Sequence, residues 1–279
     1  MRVSFCGTRG STPAPGLDFI RYGGNTSCVA VSHDDDAGPS LLLDAGTGLR
    51  RVQELLGERP FKGSLLVTHL HWDHVQGLPF FPSGDRVGSH VNLLLPAEDH
   101  TSAADLLARM MSPPFFPIGP SQLRGDWEFG FVPEGAFEAE GFSVVARDVP
   151  HKGAHTVGYR VSDGRTSVAY IPDHCPTALG TGPEGIGVYH ESALELACGV
   201  DLLIHDSHLR AEEVAAEGSF GHAAAEYAMR LGELAGARRV VLFHHRPERT
   251  DAEVERTLAR FAERDLPVIA AEEGRTVAL

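Results

Sequence analysis

Lysine is almost missing from this chain: Lys62 and Lys152 are the only two, so its positive charge rests on arginine. With 38 acidic residues against 24 basic ones, the formal net charge is −14. A chain this acidic repels polyanions unless a local basic patch overrides the overall field. The longest basic clusters are the pairs Arg50-Arg51 and Arg238-Arg239, so no long nucleic-acid footprint is expected and the excess acid reads as solubility. Cysteine is scarce as well. Cys6, Cys28, Cys175 and Cys198 lie far apart and form no CxxC pair, which argues against a structural zinc knot and for reduced thiols. No apolar run approaches the ~18 residues of a membrane span. The N-terminal MRVSFCGTRGS also lacks the basic-then-apolar layout of a signal peptide. A cytoplasmic protein without membrane contact is expected.

What is present is an ordinary globular composition, 42% hydrophobic and 22% charged. A single domain spanning 1–279 is expected, since α/β enzymes of this size often form one body. Strand-like runs occur at RVSFC (2–6), SCVAVS (27–32), SLLLD (40–44) and SLLVT (64–68). They recur at FSVVARDV (142–149), TVGYRVS (156–162), SVAYIP (167–172), DLLIH (201–205), RVVLFHH (239–245) and LPVIAA (266–271). Helical spacing marks 47–57, 191–198, 221–236 and 251–265. This alternation predicts an α/β fold of two mixed sheets with helices on their outer faces. HDDDAGPS (33–40) reads as a turn between strands, and 81–135 reads as less regular. Within that stretch the apolar, proline-rich SPPFFPIGP (112–120) is expected to cover a site, meet a partner or pack as a surface loop.

Histidine is concentrated. Of 15 in the chain, three fall within His69-Leu70-His71-Trp72-Asp73-His74. Imidazole and carboxylate together suit zinc, manganese or iron. Two imidazoles at i and i+2 on a strand end point the same way. Asp73 and His74, past the turn, then face a second position, which suits two adjacent metals better than one. Further ligands should stand at other strand ends, where α/β scaffolds gather their sites. The candidates are His151 and His155, Asp173 and His174, His205, Asp206 and His208, and His244 and His245.

HLHWDH followed by Gly77 resembles the HxHxDH motif of the metallo-β-lactamase superfamily, whose fold is a four-layer αββα sandwich. FCGTRGSTPAPG, YGGNTSC, LLLDAGTGLR, VPHKGAHTVGYRV, VAYIPDH, DLLIHDSHL, FGHAAAEYA and VVLFHHRPERTDAEV extend the likeness over nearly the whole chain. They resemble the branch that contains ribonuclease Z and small phosphodiesterases. The resemblance implies two divalent metals, zinc first, with manganese or iron as alternatives. His69, His71 and His151 would hold one, Asp73, His74 and His244 the other, and Asp173 would bridge them. It implies catalytic roles for Asp73 and for a proton relay of His222 and Asp206, His222 opening the FGHAAAE helix. Asp206 stands where ribonuclease Z shows a Glu, one methylene longer, and Ala223 and Ala224 replace a Ser-Thr pair. Asp44 is expected to support a ligand histidine or to cap the helix near Thr47. The glycine-rich GTRGSTPAPG and YGGNTS segments read as loops beside the site, whose amides bind an anionic oxygen or form ordinary turns.

The expected activity is a dinuclear phosphodiesterase acting on a cyclic nucleotide or other small phosphodiester. The rivals are a tRNA 3′ endonuclease, a hydrolase of lactones, thioesters or β-lactams, and a non-catalytic metal-binding sensor. The expected partner is a small anionic substrate ahead of nucleic acid, with Arg246 either a local donor or a surface ion pair. A homodimer is the expected assembly.

Overall fold

The computed structural model describes residues 1–97, 101–153 and 155–279. Seven strands form one sheet: β1 (Arg2–Gly7), β2 (Cys28–Ser32), β3 (Leu41–Leu43), β4 (Lys62–Leu66), β5 (His90–Leu95), β6 (Asp126–Phe131) and, from the far end of the chain, β14 (Thr276–Ala278). Their order is β14-β1-β2-β3-β4-β5-β6. The second sheet takes β7 (Gly135–Ala139), β8 (Phe142–Asp148), β9 (Val157–Ser162), β10 (Ser167–Ile171), β11 (Leu202–Asp206), β12 (Val240–Phe243) and β13 (Val268–Ala270), in the order β13-β12-β11-β10-β9-β8-β7. Both are mixed. β3 to β6 run parallel, as do β10 to β13, while the remaining pairs are antiparallel.

Sequence explains the difference between the two kinds of strand. β10, β11 and β12 are buried at every position, because layers cover both faces of a parallel strand. β8 alternates buried and more exposed positions, as an antiparallel strand with one wet face does. Val3, Phe5, Val29 and Leu43 of one sheet meet Val144, Tyr159, Tyr170 and Phe243 of the other in the central core. Outside the first sheet, α1 (Val52–Leu56) and α3 (Ala103–Ala108) bury Val52, Leu56, Leu106 and Leu107 against Leu42, Leu65 and Leu93. Outside the second, α4 (Glu191–Ala197) and α6 (Ala225–Ala235) bury Leu196, Tyr227 and Leu231 against Leu203, Val240 and Leu242. Each such side chain contributes about 1.5–3 kcal/mol. The layers are thus helix, sheet, sheet, helix. Two tyrosines fasten the sheets together: Tyr159 donates its hydroxyl to Val67 O (2.6 Å) and Tyr170 donates to Asp44 (2.9 Å). Short α2 (Trp72–Val75), α5 (Ala211–Glu217) and α7 (Asp251–Ala259) complete the helices.

The hairpin at 33–40 joins antiparallel β2 and β3 as expected. The stretch 81–135 is more regular than its sequence suggests, since it holds β5, α3 and β6. β6, DWEFGF, ends the sheet order, and the Asp, Glu and Gly of a partly wet edge strand blur its period. The helix expected from 221 starts only at Ala225. Gly221 is left-handed at φ 108°, Ala224 is extended and pairs with Leu209 in an isolated bridge, so His222 precedes the helix. α7 ends at Ala259, short of 265. In the 112–120 loop Phe116 packs edge-on against Phe80 at 5.7 Å, while Phe115 is exposed. No helix among the described residues is long and apolar enough to cross a membrane.

Candidate metal centre

Parallel strands of both sheets bring their C-terminal ends to one cleft. Past β4 the chain turns through Thr68 and His69 into α2, and past β10 and β12 come Asp173 and His244. Beneath them lies Asp44, buried at φ 61°. Its carboxylate accepts the Thr68 N–H (2.7 Å), the Thr68 and Tyr170 hydroxyls, and His74 Nδ1–H (2.7 Å). Asp44 therefore supports a cleft histidine, and the helix near Thr47 has no side-chain cap. The same logic orients two more rings. His151 Nδ1 donates to Gly221 O (2.7 Å), and His69 Nδ1 meets Thr68 Oγ1 (3.1 Å). In each of the three, Nε2 is the nitrogen left for the cleft, and that of His69 is shielded without a hydrogen bond among the described residues.

Among the clusters of cleft atoms close enough to hold an ion are His69, His71 and His151, and Asp73, His74 and His244; others draw in Asp173, His208, His222 and Asp206. His71 Nδ1 and His151 Nε2 stand 3.3 Å apart, as do His74 Nε2 and His244 Nε2. Asp73 Oδ2 is 3.3 Å from His74 Nε2 and 3.1 Å from His244 Nε2. Two ligands on one tetrahedral ion, with bonds of 2.0–2.1 Å, lie about 3.3 Å apart. The spacings here match the edges of such a polyhedron. Asp173 reaches both groups, its Oδ2 2.7 Å from His74 Nε2 and 3.2 Å from His244 Nε2, its Oδ1 3.7 Å from His151 Nε2.

Charge points the same way. Asp44, Asp73, Asp173 and Asp206 are all buried, yet among the described residues no Arg or Lys pairs with any of them. Buried carboxylates need a counter-charge, and an imidazole–carboxylate set suits a divalent cation. Burial holds His69, His71 and His151 below the usual imidazole range, which keeps them in the neutral, metal-binding form. Burial would raise Asp73 and Asp173, but the surrounding imidazoles outweigh it and hold both ionised.

Asp206 sits deeper and accepts four hydrogen bonds: from the backbone of His174 (3.1 Å), His208 (2.9 Å) and Ala223 (3.0 Å), and from His222 Nδ1 (3.2 Å). The shorter side chain of Asp thus still reaches His222. His222 Nδ1 is also 3.2 Å from Asp173 Oδ1. Burial lowers the His222 pKa, but Asp206 and Asp173 override it and push it up to about 10. His208 stacks on the His222 ring at 4.1 Å.

The other candidates lie elsewhere. His155 bonds Asp148 (2.6 Å) and Ala97 O (3.0 Å) on the surface, and His245 bonds Ala271 O (3.0 Å). His174 and His205 pair with each other at 3.0 Å behind the cleft. Arg246 is held in ion pairs by Glu217 and Glu248, so it is a salt-bridge residue. The glycine-rich loop does not offer the Ser11 amide to an outside anion, because that N–H donates to Asp73 Oδ2 (2.6 Å). Sequence reasoning missed two residues of this loop. Gly10 lies flat against His244, where a Cβ would come within 2.2 Å of Nδ1. Arg9 is fully buried and donates to Gly23 O, Arg246 O and Arg249 O, tying the loop to the chain after His244. An arginine inside a glycine-rich turn was the available signal.

A family model described as the beta-lactamase superfamily domain matches residues 39–245. The chain is 28% identical to the ribonuclease Z of Haloferax volcanii over 291 aligned positions, covering 88% of this chain and 84% of that one. Among solved structures, the metallo-beta-lactamase fold protein YhfI from Bacillus subtilis aligns with a TM-score of 0.71 at 19% identity over 99% of each chain. A diphosphatase of the PhnP family aligns at 0.69 and 17% identity, over 100% of this chain and 97% of that one. These two likenesses concern the fold. The family match takes in the cleft residues from Asp44 to His244, and on it the chain belongs to the metallo-β-lactamase superfamily and is a metal-dependent hydrolase.

Proposed function

We propose that the chain is a dinuclear phosphodiesterase acting on small phosphodiesters. The observation that supports this reading is the pair of His/Asp clusters with Asp173 within reach of both, and His222 set against the same carboxylate. His69, His71 and His151 would hold one divalent cation, and Asp73, His74 and His244 the other, zinc before manganese or iron. Cations there supply Lewis acidity, making water nucleophilic at neutral pH and offsetting charge on the attacked phosphorus. Asp44 keeps His74 in the tautomer that presents Nε2, and Gly221 O does the same for His151. With Nδ1 of His222 held by Asp206 and Asp173, its Nε2 is the atom that gives a proton to the leaving oxygen.

A second reading has one observation in its favour, the similarity to ribonuclease Z, and would make precursor tRNA the substrate. Binding tRNA requires several free cationic side chains along a surface. Here lysine is nearly absent, and Arg124, Arg147, Arg210, Arg246, Arg249 and Arg260 are all engaged by carboxylates. We therefore expect ready hydrolysis of small cyclic or linear phosphodiesters and poor cleavage of precursor tRNA at physiological salt. Competition kinetics on a mixture of the two decide it. A far higher kcat/KM for precursor tRNA, cut at its 3′ end, would replace this reading with ribonuclease Z activity.

A further inference from the structure

Beside the cleft, a hollow of about 740 Å³ opens between the loop of Pro13, the turn that leads into α1 and the segment that follows α2. Small-molecule sites run from roughly 300 to 1,000 Å³. None of the candidate metal ligands lines the hollow, yet it adjoins their supports: Pro13 is two residues past Ser11, which holds Asp73, and Gly77 is three past His74. Its walls are apolar, from Pro13, Pro79, Phe80, Phe81 and Pro82. Backbone hydrogen bonds fix them, Gly77 N–H to Ala45 O (2.8 Å), Phe80 N–H to Gly77 O (2.9 Å) and Asp85 N–H to Phe81 O (2.9 Å). Phe81 is buried against Phe61, whereas Phe80, held edge-on by Phe116 of the 112–120 loop, is still 64% exposed. A wall already in place loses little freedom when something binds to it.

Three charged side chains line the same hollow. Two of them cancel, because Arg124 Nη2 and Nε stand 2.6 and 3.0 Å from Asp85 Oδ2. Arg50 is the third. It is exposed, and among the described residues its guanidinium makes no ion pair and no hydrogen bond. Its neighbour Arg51 is taken by Glu54 and Glu273. Acidic residues outnumber basic ones 38 to 24, so Arg50 is not idle for want of carboxylates in the chain. The hollow therefore joins an apolar wall to one uncancelled positive charge. We propose that it binds a flat apolar group carrying an anion, an aryl or heteroaryl phosphate, sulfonate or carboxylate, with the ring against Phe80 and the prolines and the oxyanion on Arg50. A guanidinium fork matches such oxyanions, and a phenyl ring favours an aromatic neighbour. This ligand is either the non-reacting arm of the substrate or a separate small molecule, and the binding chemistry is the same for both. The proposal does not depend on which ester the cleft hydrolyses.

The test titrates the metal-loaded protein with naphthalene-2-sulfonate, an aryl anion with no ester to hydrolyse, and with neutral 2-naphthol, following binding by calorimetry. Wild type is expected to bind the sulfonate saturably and more tightly than the naphthol. Arg50→Gln should weaken the sulfonate about tenfold, the worth of one hydrogen bond between charged groups near solvent, and leave the naphthol unchanged. Phe80→Ala should weaken both probes about fivefold. Lys62→Gln, at the start of β4 and outside the hollow, removes the same charge and should bind like wild type. Absence of saturable sulfonate binding overturns the proposal. So does an Arg50→Gln protein that binds as wild type does, or a Lys62→Gln loss as large, which would make the attraction one of overall charge. The effect of the sulfonate on turnover of bis-p-nitrophenyl phosphate separates the two sources. A competitive rise in KM supports the substrate's own arm, and an unchanged KM supports a separate ligand. A wild type that binds the sulfonate but does not cleave the diester refutes the phosphodiesterase reading and leaves this proposal standing.

Discussion

Asp173 has one oxygen against His74 and His244 and the other toward His151 and His222, so its removal touches everything in the cleft at once. Asp173→Ala should leave well under two metal ions per chain by elemental analysis, where the wild type should hold close to two. Retention of both ions would show that Asp173 is no bridge. His222 differs, because it belongs to neither ligand group. His222→Ala should keep its metals and lose about 10²–10⁴-fold in turnover of diesters with poor leaving groups. p-Nitrophenolate needs little protonation, so esters of that alcohol should suffer much less; equal losses on both would refute the proton-donor role. Residues of this kind were partly legible in the sequence. The density of His and Asp in HLHWDH marks a site without any fold; strand-end positions offer nine further candidates, and the family resemblance picks Asp173 and His244 from among them. The partners were harder to read. That Tyr170 and Thr68 both serve Asp44 depends on contacts 126 and 24 residues apart, which no local pattern records.

At the scale of elements, long apolar runs such as β10 to β12 were legible because burial on both faces leaves a strong signal. β6, partly wet, and the three-residue β14 were not. α6 starts later than its alanine-rich sequence predicts for a physical reason: the stretch has high helix propensity, but Gly221 is left-handed and the Asp206 carboxylate captures the Ala223 amide, which keeps 221–224 out of the helix. The loop from Gly7 to Ser11 is an element of the site in its own right, since its amide binds Asp73 and its glycine backs His244. Gly10→Ala should displace the His244 ring, whose backbone already sits at φ 58° and has little freedom to follow. The expected cost is about 1–3 kcal/mol of stability, the usual range for overpacking, together with weaker binding at the Asp73–His74–His244 position. Thermal unfolding and metal titration check this, and an unchanged pair of values would mean that the ring swings aside freely.

Across the whole molecule, the candidate ligands divide between the two sheets: His69, His71, Asp73 and His74 follow strands of the first, His151, Asp173 and His244 those of the second. Ions held between them would join the sheets where the tyrosine hydroxyls of Tyr159 and Tyr170 already do. Chelation should therefore lower Tm by about 10 °C, since a ligand at a thousand times its Kd contributes about 4 kcal/mol and each kcal/mol moves a protein this large by about 2–4 °C. No shift on adding a strong chelator to the metal-loaded protein would argue against ions that span the sheets. The division has a further consequence for how the protein is made. A growing chain has released His69 to His74 from the ribosome long before His244 exists, and the loop of Arg9 and Gly10 waits through the same interval for the segment it clasps. Until then Asp73 and His74 stand without the His244 imidazole that would complete their group. Loading of ions in that pair of clusters would then follow translation, and an ion captured earlier would be held by fewer groups and easily exchanged.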